Sequence, residues 1–170
     1  FWKDRILKEE IYPESFESIK KVALFSSPVS HHWLTYKYIY EKYGNYRMSG
    51  AEDYDFILRL ISNNVPLANV QKGLYYLRIR EGNTISTMGL SQIKLSNYAK
   101  KLHKERVKNN TLTDSYSLEA LKKYLTTSPF ITKMHNISAS LFRKFVLRKK
   151  REGIIYLPLA ILFSPYYQLQ

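Results

Sequence analysis

An acidic cluster, Glu52, Asp53 and Asp55, lies within residues 49–60. If this segment is helical, its apolar side chains share one stripe, formed by Phe56, Ile57, Leu60 and Ile61. Asp53 then projects in the direction of that stripe, from the first turn. A carboxylate on the core side of a helix is costly without a partner, but at the edge of a cleft it can act as a general base. We therefore predict Asp53 as a catalytic base, with a purely structural carboxylate as the alternative.

The two neighbouring carboxylates each have a structural interpretation. Glu52 follows Ser49 by three residues, which is capping-box spacing, so it either caps the helix or joins Asp53 as a second catalytic residue. Asp55 points away from the stripe and precedes Arg59 by four residues, which predicts an ion pair. Asp53-Tyr54-Asp55 also spells the Asp-x-Asp metal motif, but no apolar strand precedes it. We therefore assign no metal ligand to this chain.

The elements that position these residues are mostly predicted helices. Apolar residues recur at helical spacing in six stretches: between Pro13 and Pro28, at 39–43, at 53–63, and around 95–102, 118–125 and 137–146. Residues 31–36 are predicted to be extended, and Gly73–Arg80 to form a strand. Arg78 and Arg80 would share one face of that strand, where they suit a diphosphate or an anionic acceptor, unless they are simply solvated.

Composition divides the chain near residue 89. The 170 residues contain no cysteine, which excludes disulfides and thiol catalysis. Residues 1–93 carry a net charge of +2, whereas residues 94–170 carry +11. We therefore predict an α/β part over residues 1–88 and a mainly α-helical, basic extension over residues 89–170. The opening Phe1-Trp2 without a methionine leads us to expect a fragment.

Several short segments resemble those of bacterial family 2 glycosyltransferases. Glu52-Asp53-Tyr54-Asp55 with Arg59 is similar to the Glu-Asp-Tyr-Asp-Leu-x-x-Arg segment of that family. Four other segments follow the family's order: Pro28-Val29-Ser30-His31, Tyr36-Lys37, Gly44-Asn45-Tyr46-Arg47 and Asn69–Arg78. The resemblance covers residues 13–86. His32-Trp33 stands where relatives often have Pro-Thr, and this changes the expected acceptor pocket.

The resemblance implies the C-terminal, acceptor-binding part of a GT-A fold and an inverting enzyme of surface polysaccharide or glycan synthesis. Asp53 would deprotonate the acceptor hydroxyl, and the substrate-binding residues would be His31, Trp33, Tyr36, Arg78 and Arg80. His31 is equally open to a structural role. The donor would be a nucleotide sugar and the acceptor a saccharide or a lipid-linked sugar. A divalent metal, Mn or Mg, is expected in the full enzyme, with ligands mostly outside this chain.

The basic second half suggests two further partners. Residues 141–151 combine an apolar face with six basic residues, which suits a helix lying on an anionic membrane; an ordinary solvated face is the alternative. The apolar run 154–163 is too short to span a bilayer, and Pro158 interrupts it. We expect a cytoplasmic protein, peripheral at the inner face of the cell membrane. The other function class is a non-catalytic nucleic-acid module using Tyr98, Tyr116 and Tyr124, although no recognisable motif for nucleic acid is present.

Overall fold

The computed structural model describes residues 10–30, 32–76, 89–147 and 155–163. Its helices, numbered along the chain, are α1 Phe16–Val22, α2 Lys37–Tyr43, α3 Glu52–Ser62, α4 Gly89–Asn109, α5 Leu118–Leu125, α6 Pro129–Leu147 and α7 Tyr156–Phe163. All six predicted helices are confirmed. The seventh, α7, was not predicted as a helix.

The α/β prediction is wrong, because every regular element in these ranges is a helix and none of their residues forms a strand. The structure therefore does not support a GT-A fold. A strand needs a neighbouring strand to satisfy its backbone. Residues 73–76 are exposed and form no regular structure, and no strand lies beside them within the described part of the chain. The rest of the predicted strand, with Arg78 and Arg80, lies outside the described ranges.

Short polar signals set several helix ends. Ser15 caps α1 by accepting a hydrogen bond from the Ser18 backbone N–H at 3.3 Å. Ser128 does the same for α6, where it accepts a hydrogen bond from the Ile131 N–H. Pro129 takes the first helical position, where a backbone N–H would have no partner within the helix and where proline, which has no N–H, is favoured. Pro158 also lies in the first turn of α7, so it is compatible with the start of this helix.

Helix α3 is the centre of the first compact unit, which comprises residues 1–124. Eight consecutive residues of α3, Tyr54–Ile61, are buried, so this helix is covered on all sides. Helix α4 packs against it through a stripe of buried residues at helical spacing: Leu95, Tyr98, Ala99, Leu102, His103 and Arg106. The predicted division at residue 88/89 stays a prediction, since residues 77–88 are not described.

The second compact unit comprises residues 125–170. Within it α6 and α7 pack together, and the Ser138 hydroxyl donates a hydrogen bond to the Ala160 carbonyl at 2.5 Å. No helix in the described part of the chain has the length and apolar character needed to cross a bilayer.

Candidate functional site

The motif Glu52-Asp53-Tyr54-Asp55 divides into two locked residues and two accessible ones. The Tyr54 hydroxyl donates to the Ala23 carbonyl and ties α3 to the end of α1. Asp55 is fully buried. Glu52 and Asp53, by contrast, are only partly buried at the start of α3. The chemistry of the motif is therefore confined to Glu52 and Asp53.

Asp55 is held by two guanidinium groups. Arg47 donates to both carboxylate oxygens, at 2.7 and 2.9 Å, and Arg59 donates to one of them at 3.1 Å. The ion pair with Arg59 predicted from spacing is confirmed. The structural role predicted for Asp55 is confirmed, and Asp55 is buried although it was predicted to point away from the apolar stripe, because α3 is covered on all sides. Since both oxygens already accept from arginine, a divalent cation does not fit at Asp53-Tyr54-Asp55.

Arg59 also fixes the turn that precedes α3. Its guanidinium donates to the carbonyls of Tyr43, Gly44 and Asn45, the last two at 3.1 and 2.8 Å. Gly44 has φ +79° and ψ 160°, a conformation that is essentially restricted to glycine. Residues 44–47 are thus bound to α3 at both ends, because Arg47 reaches Asp55.

Tyr46, which lies in this turn, packs with three other aromatic residues. We term the four residues the aromatic cluster: Trp33, Tyr40, Tyr46 and Phe56. Phe56 stacks on Tyr40 with ring centroids 4.8 Å apart, and Tyr46 meets Phe56 edge-on at 5.6 Å. The Trp33 indole N–H donates to the Tyr40 hydroxyl at 3.2 Å. Phe56 is buried, whereas Tyr46 is about half exposed, so the cluster runs from the core to the surface.

The aromatic cluster and the two accessible carboxylates are close enough to interact electrostatically. Partial burial, the hydrogen bond to Tyr40 and the negative charges of Asp53 and Glu52 raise the pKa of Tyr46. Its phenol therefore stays neutral and can donate a hydrogen bond near these carboxylates.

Glu52 and Asp53 each have one carboxylate oxygen that accepts a hydrogen bond from a backbone N–H. A Glu52 oxygen accepts a hydrogen bond from the Gly50 backbone N–H at 2.5 Å. The predicted capping box with Ser49 is not formed, because the N-cap of α3 is Ala51 and no side chain caps this helix. One Asp53 oxygen accepts from the adjacent Tyr54 N–H at 2.7 Å. Asp53 forms no ion pair within the described ranges. Its second oxygen gives a partly exposed carboxylate that can accept a proton from a bound hydroxyl.

The predicted substrate-binding residues are placed differently. Trp33 lies in the aromatic cluster. Tyr36 is exposed directly before α2 and stacks on Tyr38 with centroids 5.7 Å apart. His31, Arg78 and Arg80 lie outside the described residues and stay predictions. Sequence reasoning missed Tyr40 and Tyr46 as site residues, although Tyr46 belongs to the Gly-x-Tyr-Arg segment that it identified.

The other segments of the resemblance are also brought together. The Asn69 side-chain amide donates to the carbonyls of Pro13 and Pro28, at 2.7 and 2.9 Å. The rings of His32 and Tyr75 lie with centroids 4.5 Å apart. Residues 28–30 and 32 are therefore neighbours of residues 69–75 despite their separation along the chain.

A buried charge network behind the site was not predictable. Asp114 accepts two hydrogen bonds from Arg47, at 2.9 and 2.6 Å, and a third from Arg106. Burial alone would raise the pKa of Asp114, but the bonds and charges of Arg47 and Arg106 outweigh it and hold this pKa below its ordinary value. The network joins α3, α4 and the segment after α4 to the turn that carries Tyr46.

Two other expectations can be compared with the structure. Within the described part of the chain, no three His, Asp or Glu side chains are grouped as a metal site would require. The tyrosines proposed for nucleic-acid stacking take part in internal contacts. Tyr98 is buried against Tyr124, and the Tyr116 ring is covered by Arg47 while its hydroxyl donates to the Arg47 carbonyl.

Comparison with protein-family models, curated proteins and solved structures gives no match.

Proposed function

We propose that this chain is the acceptor-binding part of an inverting glycosyltransferase of surface polysaccharide or glycan synthesis, with Asp53 as the general base. The observation that carries the proposal is the partly exposed Asp53 carboxylate beside the aromatic cluster, in a motif whose Tyr54 and Asp55 are locked into the fold. The proposal rests on these residues and on the sequence resemblance, and not on a GT-A architecture.

The transfer reaction requires two things of this part of the enzyme: a general base and a surface that binds the acceptor. Asp53 removes the proton of an acceptor hydroxyl as the oxygen attacks the anomeric carbon of a nucleotide sugar. The bond to the nucleotide diphosphate breaks, and the diphosphate leaves with the electron pair. A positioned carboxylate contributes about 10²–10⁴-fold to such a step.

The aromatic cluster suits a saccharide acceptor. Sugar rings carry apolar C–H faces that pack on aromatic side chains, and their hydroxyls need polar partners beside those faces. Trp33 and Tyr46 supply such a surface, with centroids 6.3 Å apart and ring planes at 82°. The Tyr46 phenol, whose pKa is raised in part by the charges of Asp53 and Glu52, adds a hydrogen-bonding group to this surface.

The experiment measures transfer from labelled nucleotide sugars to endogenous acceptors by the complete enzyme. Asp53→Asn should lower kcat by about 10²–10⁴-fold while donor affinity persists, because the base is lost but the donor contacts are not. Glu41→Gln, an exposed carboxylate on α2, is the matched control and should retain full activity. Wild-type kcat in Asp53→Asn would remove the base assignment. Absence of transfer from every nucleotide sugar tested would remove the proposed function.

A further inference from the structure

Helix α7 is apolar along its whole length, yet much of it is exposed. Its sequence, Tyr156–Phe163, contains no polar or charged side chain other than the tyrosine hydroxyl. A helix that is hydrophobic all round is normally buried. Among the α7 residues whose burial is described, only Ala160 is buried, at 1% exposure. The helix therefore has an apolar side that nothing in the described structure covers.

That apolar side is a regular stripe. Ile155, Leu159 and Leu162 follow the i, i+4, i+7 spacing of one helix face, and they are 61%, 42% and 73% exposed. Tyr156, Ala160 and Phe163 follow the same spacing and are buried or partly buried. Ala160 accepts the hydrogen bond from Ser138 of α6. One stripe of α7 thus faces its own unit and the next stripe faces outward.

The second unit also carries a strongly positive charge. Residues 125–170 contain seven basic residues and one acidic residue, Glu152. Four of the basic residues, Arg148, Lys149, Lys150 and Arg151, lie in the sequence between α6 and α7, close before Ile155. An exposed apolar stripe on a strongly basic unit matches the acyl boundary and headgroups of an anionic bilayer. An eight-residue helix is about 12 Å long, so it can lie in the interface but cannot cross it.

We propose that the second unit docks on anionic lipid bilayers, with Ile155, Leu159 and Leu162 inserted and the net positive charge of the unit attracted to the headgroups. This inference rests on the second unit alone and is independent of the proposed transferase activity. Each basic residue near the surface contributes about fivefold to partitioning, and salt screens this contribution. Insertion of the apolar stripe is not screened by salt.

The test is co-sedimentation of the full chain with two kinds of vesicle: pure phosphatidylcholine, and equal parts of phosphatidylcholine and phosphatidylglycerol. The chain should bind the anionic vesicles at least tenfold more tightly. Replacing Arg148, Lys149, Lys150 and Arg151 with Gln should reduce this binding more than tenfold at low salt. The matched control removes the same charge from exposed lysines of the first unit: Lys101, Lys104, Lys108 and Lys123. This control should bind within twofold of the wild type.

The apolar stripe is tested with Leu159→Ser/Leu162→Ser, which should weaken binding at least tenfold at both low and physiological salt. Val107→Ser/Leu112→Ser changes two exposed apolar residues of the first unit and should have no effect. Equal loss in the variants and their controls would overturn the proposal. So would failure of the wild type to bind anionic vesicles at low salt. Salt-sensitive binding to a short RNA without vesicle binding would replace the membrane with nucleic acid as the partner.

Discussion

At the scale of single residues, the most constrained group is Asp114. It lies between Arg47 and Arg106, and its side chain is 3% exposed. Arg106 itself is buried, and one of its guanidinium nitrogens, Nη2, has no hydrogen-bond partner among the described residues. With Asp55 and Arg59, the network places three positive groups against two negative ones. The loss of either carboxylate leaves buried positive charge uncompensated.

Asp114→Asn should therefore lower the free energy of unfolding by about 3–5 kcal/mol, the usual cost of removing one partner of a buried ion pair. Urea unfolding followed by circular dichroism measures this change. Glu119→Gln, an exposed carboxylate in the first turn of α5, is the control and should stay within about 0.5 kcal/mol of the wild type. A loss below about 1 kcal/mol for Asp114→Asn would show that the network stabilises little.

His103 makes stability depend on pH near neutrality. It lies buried on α4, with Nδ1 3.0 Å from the Leu58 carbonyl oxygen. Burial lowers its pKa, and the charges of Arg106 and Lys104 lower it further, although the bond to Leu58 opposes this shift. The unfolded chain then binds the proton more readily than the folded one. Stability is unaffected above the unfolded pKa of about 6.5 and falls as pH drops below it.

The midpoint of thermal unfolding, measured from pH 8 to pH 5, should be flat at first and then decline below about pH 6.5. His103→Gln keeps a donor but cannot titrate, so its profile should decline less over this interval. His135 in the second unit is also buried with a lowered pKa, and His135→Gln is the comparison that separates the two contributions. Identical profiles for wild type and His103→Gln would exclude His103 as the cause.

At the scale of elements, the turn between α2 and α3 decides where Tyr46 lies. Gly44→Ala should lower the free energy of unfolding by about 1–3 kcal/mol, since its backbone conformation is essentially restricted to glycine. The added Cβ would also approach Arg59 Nη1 to 3.2 Å. Gly50 also has a positive φ, of 96°, but its carbonyl is not among those that Arg59 binds. Gly50→Ala is therefore the milder control. Chemical denaturation of both variants measures the two decreases in the free energy of unfolding. An equal or larger decrease for Gly50→Ala would contradict the prediction.

Sequence patterns predicted the positions of the helices better than they predicted the packing around individual side chains. Apolar spacing located α3 to within a residue at each end, because amphipathic periodicity is a local property. The same reasoning did not reveal that Asp55 is buried, because its burial depends on residues outside the helix, such as Arg47. The predicted strand failed for a related reason, since strand formation depends on a partner that a single segment does not reveal. Asp53 and Trp33 were identified as candidates from sequence, whereas Tyr40 required the packing of α2 on α3.

At the scale of the whole molecule, the charge network and the aromatic cluster belong entirely to residues 1–124. Residues 1–124 expressed alone should therefore unfold cooperatively in urea, and Asp114→Asn should destabilise them by as much as it destabilises the full chain, about 3–5 kcal/mol. Denaturation curves of the two lengths, with and without Asp114→Asn, provide the measurement. A non-cooperative transition in the shorter chain would show that the first unit depends on the second.

The bond between Arg47 and Asp114 also sets an order of events during synthesis. Its partners are 67 residues apart, and a ribosome makes Arg47 long before Asp114. Until Asp114 emerges and α4 docks, Arg47 has only the Asp55 carboxylate that Arg59 also uses. The nascent chain can form the local helices α1, α2 and α3 during this interval, but the buried ionic arrangement behind Tyr46 is still incomplete. The part of the chain that would bind an acceptor thus reaches its final form only after the sequence beyond α4 has been translated.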